Sequence, residues 1–146
     1  MYSTKGRYAL RVMIDIALFS ANDFVSIKEI SERQNISVKY LERIIALLNS
    51  AGFLKSMRGN KGGYKLAKKP SDYTSGDILR AAEGNIAPIA CLSSDEKCAR
   101  RGKCTTISFW EGYFDAVNNY VDSVTLQDLV DGALGIPDVN PAAEGI

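Results

Sequence analysis

Between Ser26 and Ala67 the chain spells out its architecture in capping and turn residues, and no other stretch constrains the fold as strongly. Ser26-Ile27-Lys28-Glu29 has the form of a capping box, in which the serine oxygen takes an orphan amide and the glutamate reaches back to the cap. Asn35 ends this helix early, and asparagine is the non-glycine residue most tolerant of the left-handed backbone that a sharp helix–helix corner needs. Ser37 opens the next helix, whose expected inward face is Val38, Leu41, Ile45 and Leu48 and whose end is marked by Gly52. Two short helices joined by a three- or four-residue turn form a helix-turn-helix. Ile30, Ile36, Leu41 and Ile44 can meet inside the corner, with the small Ser31 where the helices approach. Lys39, Glu42 and Arg43 remain outside with Tyr40 beside them, a polar face of the spacing that reaches base edges in a major groove. A solvated face on an ordinary three-helix corner would carry the same pattern.

The flanking segments favour the DNA-reading alternative. Phe53-Leu54-Lys55-Ser56-Met57 and Tyr64-Lys65-Leu66-Ala67 alternate apolar and polar residues around Arg58-Gly59-Asn60-Lys61-Gly62-Gly63. That pattern predicts a hairpin with a basic, backbone-flexible tip suited to phosphates or a minor groove. It is not a phosphate-binding loop, because the glycine spacing is wrong and no Gly-Lys-Ser/Thr follows. Ahead of it, Leu10, Met13, Ile14, Ala17 and Leu18 give Thr4 to about Ser20 the spacing of an amphipathic helix. Helix, helix, helix and basic hairpin make a winged helix over residues 1–70, with the helix-turn-helix at about 27–50 and the wing at about 53–67. The predicted fold class is therefore mainly α with a small β-hairpin wing, followed by a long dimerisation helix.

Charge separates along the chain in the same way. Residues 1–70 hold 13 Lys/Arg against 5 Asp/Glu, and residues 71–146 hold 5 against 12, so the net charge of +1 conceals a basic half and an acidic half. The basic half fits a polyanionic partner, here double-stranded DNA. With 46% apolar and 24% charged residues in 146, the chain reads as one globular domain's worth of sequence. No run reaches the length of a membrane span. The apolar stretch after Lys5, Arg7 and Arg11 is broken by Asp15 and lacks a clean cleavage site, so it reads as a helix of a cytoplasmic protein rather than a signal peptide. There is no histidine, few carboxylates converge and no nucleotide loop is present, which argues against an enzyme and gives no sign of a small-molecule substrate. A winged helix that docks a partner protein is the other class to weigh.

The second half, residues 71–131, carries a linker helix, a loop and a long helix. Thr74-Ser75-Gly76-Asp77 is a further capping box leading to Gly84, and residues 85–104 have little periodicity. Ile107, Trp110, Phe114, Val117, Val121 and Val124 then step by 3, 4, 3, 4, 3, a heptad seam narrower than the stripe of a helix lying on a core. Such a seam wants a partner, either a twofold copy of itself or the chain's own first helix. Thr125 to Val130 reads as a short capped helix, and residues 132–146 as a flexible tail.

Cys91, Cys98 and Cys104 fall within this irregular loop, close to Lys97, Arg100, Arg101 and Lys103, whose charges favour thiolates. Zinc is poorly served by the spacing. A thiol–disulfide switch is open, and an iron–sulfur cluster fits best, because clusters accept thiolates from an extended loop and tolerate another ligand at one iron.

Together, Ser3-Thr4-Lys5-Gly6-Arg7-Tyr8-Ala9, Ile30-Ser31-Glu32-Arg33-Gln34, Tyr40-Leu41-Glu42, Arg58-Gly59 with Gly62-Gly63-Tyr64, and the three-cysteine loop resemble the IscR-type family of bacterial iron–sulfur cluster-dependent winged-helix transcription regulators, whose relatives include NsrR and CymR. The resemblance runs from about residue 2 to Val130. It implies a homodimer crossed by the long helix through Ile107, Trp110, Phe114, Val117, Val121 and Val124, with control of iron–sulfur cluster biogenesis genes. It also implies cluster ligation by Cys91, Cys98 and Cys104, a promoter-discriminating role for Glu42 and a DNA-facing Arg58. The family's histidine after the last cysteine is Ile107 here, so 2Fe–2S and 4Fe–4S clusters both stay open, as does a cluster-free thiol-switched or cysteine-metabolism repressor of the same fold. The expected DNA-contacting set is Lys5, Arg7, Ser37, Lys39, Tyr40, Glu42, Arg43, Arg58 and Lys61.

Overall fold

Helix starts in this chain follow its Ser and Thr residues. A computed structural model describes residues 2–93 and 100–136. Helix α1 (Thr4–Phe19) begins at Ser3, whose hydroxyl accepts the Lys5 amide. Helix α2 (Ile27–Gln34) has the reciprocal Ser26/Glu29 capping box and ends at Asn35, the one non-glycine residue with positive φ (54°) among those described. Helix α3 (Val38–Ser50) is capped by Ser37. Strands β1 (Leu54–Met57) and β2 (Gly63–Leu66) pair antiparallel with Leu54 opposite Leu66 and Met57 opposite Gly63. Helix α4 (Ser75–Glu83) follows, then α5 (Ile107–Ser123) and α6 (Leu126–Leu134), the first and last of these three with capping boxes at Thr74 and Thr125. The order is a winged helix-turn-helix extended by three helices.

The corner packs as the sequence predicts, with Ile30, Ile36, Leu41 and Ile44 all buried. Ser31 holds it shut by donating to the Ile36 carbonyl at 2.6 Å. Val38, expected inside, stays 38% exposed in the first turn of α3, and Ile44 joins Leu41, Ile45 and Leu48 on the inward face instead. Helix α1 is the axle of the molecule, touching α2, α3, α4, α6 and β2. Its fully buried line is therefore Ala9, Val12, Met13 and Ile16, while the expected Leu10, Ile14, Ala17 and Leu18 pack part-buried around it. Neighbours on several sides widen the stripe beyond the single face that periodicity suggests.

Asp15, which interrupts the apolar run, is buried to 1% exposure. Arg33 meets it with two bonds, Nη2 to Oδ1 at 2.8 Å and Nε to Oδ2 at 3.0 Å, and Gln34 adds a third at 2.9 Å. The guanidinium also lies 4.0 Å from the centre of the Phe19 ring. A buried carboxylate is tolerable only with such partners.

The wing is built by close backbone approach. Val25 exchanges two hydrogen bonds with Tyr64, both 2.8 Å, adding a bridge to the hairpin. At Gly63 (φ 151°) a Cβ would stand 2.2 Å from the Val25 carbonyl oxygen, so glycine is required there by contact as well as by conformation.

The main core runs across the expected 70/71 division. Tyr73, 1% exposed, donates to the Phe53 carbonyl at 2.7 Å and accepts from the Lys68 amide at 3.0 Å. Leu126 and Val130 of α6 share one buried cluster with α1 and α3. Helix α6 runs to Leu134, past the Val130 end that its sequence suggests, and the rest of the expected tail, 137–146, lies outside the described residues. No helix among the described residues is long and apolar enough to cross a membrane.

Candidate nucleic-acid interface and cysteine loop

The predicted polar face of α3 is outside: Ser37, Lys39, Glu42 and Arg43 are all exposed, and Ser37 also caps the helix by accepting the Tyr40 amide at 3.2 Å. Lys5 and Arg7 are exposed on the first turns of α1, and Arg58 and Lys61 in the turn of the wing. Among the described residues none of the cations Lys5, Arg7, Lys39, Arg43, Arg58 and Lys61 forms an ion pair, whereas Arg33, Arg80 and Arg101 do. Cations left without a carboxylate partner can exchange counterions for phosphates.

Tyr40 departs from expectation. It is half-buried, its hydroxyl lies 2.5 Å from that of Thr4, and its ring stands edge-on to Tyr8 with centroids 5.6 Å apart. It is therefore turned toward α1 and braces α3, while Lys39, Glu42 and Arg43 project outward. Alternation on one helix face cannot reveal this, because the partners Thr4 and Tyr8 lie thirty-six and thirty-two positions earlier in the chain.

Glu83 is a functional candidate that the sequence reading missed. It sits at the end of α4, yet its carboxylate accepts the Ser3 amide (2.8 Å), the Ser3 hydroxyl (2.7 and 2.9 Å) and the Gly6 amide (2.9 Å) at the start of α1. Desolvation pushes this carboxyl up, but the Ser3 and Gly6 donors with the Lys5 charge outweigh it and hold the group below the usual carboxylate range. Beside it a cavity of about 410 Å³ opens between Tyr2, Asn85, Pro88, Trp110 and Tyr113.

Cys91 lies in the short 3-10 turn Ala90–Leu92 and Cys104 just ahead of α5, both half-buried and neither in a disulfide. Cys98 lies outside the described residues. The Cys104 thiol is held below its ordinary range, first by the Thr106 amide, then by the Thr106 hydroxyl 3.6 Å away, with help from the Ile107 amide and the Arg100 charge. These are the free donors of the first turn of α5, which stabilise a thiolate. Arg101 spans the loop, donating to the Cys91 carbonyl at 3.4 Å and pairing with Glu111 at 3.2 Å. No group of three or more His, Cys, Asp or Glu gathers among the described residues, which hold two of the three cysteines.

The predicted seam of α5 is largely occupied by its own chain. Val121 is buried with Leu79 and Ile86, and Phe114 and Val117 pack on the same cluster. Ile107, Trp110 and Val124 are half-buried. Arg80 fixes the contact, reaching Asp122 at 2.8 and 3.0 Å and Asn118 at 2.9 Å. The face of α5 that remains open carries Phe109 (63% exposed), Tyr113 (48%) and Tyr120 (70%). With Ala116 these residues step by 4, 3 and 4, a second heptad line beside the first, so the sequence held both stripes and gave no sign of which one α4 would cover.

The family model Rrf2, described as an iron-dependent transcriptional regulator, matches residues 2–132. The chain is 40% identical over 128 residues to the protein rrf2 of Nitratidesulfovibrio vulgaris, covering 88% of this chain and 85% of that one. It is 41% identical over 127 residues to the transcriptional regulator CymR of Bacillus subtilis, covering 87% of each. The structure of B. subtilis CymR, described as the global cysteine regulator, superposes with a TM-score of 0.74 over 90% of this chain and 96% of that one at 40% identity. The T. potens IscR structure gives 0.73 over 91% and 88%, at 38% identity. These relatives are regulators rather than enzymes, and their fold is the winged helix seen here. The chain belongs to the Rrf2 family of DNA-binding transcription regulators.

Proposed function

We propose that this regulator binds operator DNA as a homodimer and reports iron–sulfur cluster, iron or redox status through a cluster held by Cys91, Cys98 and Cys104, controlling iron–sulfur cluster biogenesis genes in the cytoplasm. Lys5, Arg7, Lys39, Arg43, Arg58 and Lys61 neutralise phosphates, and Glu42 and Arg43 meet base edges, with Ser37 at the mouth of the groove. Tyr40 braces the reading helix. The homodimer forms through α5, with Phe109, Tyr113 and Tyr120 joining the seam. The observation that carries the sensing role is the lowered Cys104 thiol at the head of α5, in a loop whose other described cysteine is tied to the same helix through Arg101. A lowered thiol gives up its proton more readily, and the thiolate is the form that binds iron. A bound cluster would supply iron–thiolate bonds sensitive to iron, oxygen or nitric oxide.

The thiolate also supports a second reading, a cluster-free thiol switch, and the likeness to CymR adds weight to it. Protein purified without oxygen and examined by visible absorption, with iron and sulfide counts per chain, separates the two. About four irons under a broad band near 400 nm indicate a 4Fe–4S cluster, and about two with structured bands a 2Fe–2S cluster. Colourless protein after reconstitution assigns the cysteines to the thiol switch.

A further inference from the structure

We infer that Glu83 is a positioning residue for DNA reading, setting the angle of α3 from the stem of the cysteine loop through Ser3, Gly6 and the Thr4–Tyr40 contact. The inference rests on the reading of α3 as the base-contacting helix.

A glutamate at the last position of a helix is unfavourable to that helix, because the carboxylate faces the negative end of the dipole. Glu83 occupies that position in α4, and its compensation comes from α1, eighty residues away in sequence, whose first amides it accepts. Charge-assisted bonds from two amides and a hydroxyl to one carboxylate make a stiff joint. Gly6 is part of the joint, since a Cβ there would stand 2.7 Å from Glu83 Oε1. One turn of α1 then grips Tyr40 twice: Thr4 by its hydroxyl and Tyr8 by its ring. Tyr40 lies in the first turn of α3, between exposed Lys39 and exposed Glu42 and Arg43. On the other side, Gly84 ends α4 with φ 79°, and Cys91 follows seven residues later. A strain on the loop therefore meets α4 first at the residue that holds α1 in place.

The test uses the full chain with two duplexes, one selected from a random-sequence pool by the wild type and one scrambled duplex of equal length. Glu83→Gln and Tyr40→Phe should each weaken binding to the selected duplex about tenfold, with the scrambled duplex and the salt slope unchanged. In the double variant the loss should exceed the larger single loss by less than about twofold, because both changes break one path. Thr4→Val, on the surface, should reproduce the loss if Glu83→Gln folds poorly. Equal weakening on both duplexes, or losses that multiply in the double variant, overturns the proposal. If Glu42→Ala and Arg43→Ala abolish the preference while Glu83→Gln keeps it, the Glu83 role alone falls. If those two variants keep the preference, the reading of α3 falls and takes this role with it.

Discussion

The helix-turn-helix and helix α5 solve opposite problems. In α1 to α3 each helix has several neighbours, the inward faces are fully buried and no described buried side-chain nitrogen or oxygen lacks a partner. Helix α5 is longer than α3, yet Val121 is its one buried residue, and three of its aromatics stand open. A helix gains most of its stability from packing an apolar face rather than from propensity. The first region is completed by its own chain, and α5 is half-completed by α4. What the open half meets is the question on which the molecule's assembly turns.

Breaking the self-sufficient region should give the largest effect. Asp15→Ala removes the anion that Arg33 and Gln34 share and should destabilise the fold by about 3–5 kcal/mol, toward the lower end because Arg33 retains access to water. Urea unfolding followed by circular dichroism measures it. A loss under 1 kcal/mol would mean that α1 and α2 are held by apolar packing alone, and the contrast between the regions would shrink.

The open face of α5 is tested by association. If the proposed homodimer forms through this face, Tyr113→Ser with Tyr120→Ser should raise its dissociation constant roughly hundredfold, read by sedimentation velocity, while leaving the urea midpoint of the monomer near wild type. Val117→Ser should do the reverse, lowering the midpoint with less effect on association, because Val117 packs on the chain's own second cluster. If Val117→Ser were the more damaging to the dimer, the heptad seam read from the sequence would be the true interface.

Much of this contrast is written in the sequence where the physics is local. Ser26 with Glu29, Asn35, Ser37 and Thr74 with Asp77 each fix a boundary through bonds spanning three or four residues, and each behaves as its pattern predicts. The apolar line of α1 is displaced from the expected one because its neighbours come from five different elements. Tyr40 and Glu83 were hidden for the same reason: their partners, Thr4, Ser3 and Gly6, are distant in the chain and carry no signature of being met. The exposure of Lys5, Arg7, Lys39, Arg43, Arg58 and Lys61 follows from their charge alone, because a solvated cation needs no partner. For the cysteines, spacing names the group and leaves its geometry open.

Tyr73 closes the base of the wing, its own carbonyl accepting the Leu126 amide of α6 at 2.9 Å. Its ring stands edge-on to Phe53 with centroids 5.3 Å apart, and its hydroxyl serves both the Phe53 carbonyl and the Lys68 amide. Tyr73→Phe keeps the packing, orphans the Lys68 amide and leaves the Phe53 carbonyl with the Ala67 amide alone (3.1 Å), so a loss of about 1 kcal/mol in thermal or urea unfolding is expected. An unchanged stability would show that water replaces the hydroxyl and that the base of the wing is looser than its burial implies.

The smallest effect belongs to the joint at Glu83, and its sign follows from its environment. Its carboxyl is held below the range of an unfolded glutamate, so the folded state gains from ionisation. That gain is complete above the unfolded value, near pH 4.3, and is lost as the pH falls through the lower folded value. Asp122, lowered chiefly by its bond to Arg80, is lost over the same acid window and must be removed from the comparison. In an Asp122→Asn background, the stability difference between Glu83 and Glu83→Gln should be flat from pH 7 to about pH 5 and should shrink below about pH 4. Because the carboxylate is partly solvated, the change is a fraction of that expected for Asp15. A difference that grows on acidification would mean that burial outweighs the Ser3 and Gly6 donors, and that the two regions are separated at this joint rather than tied by it.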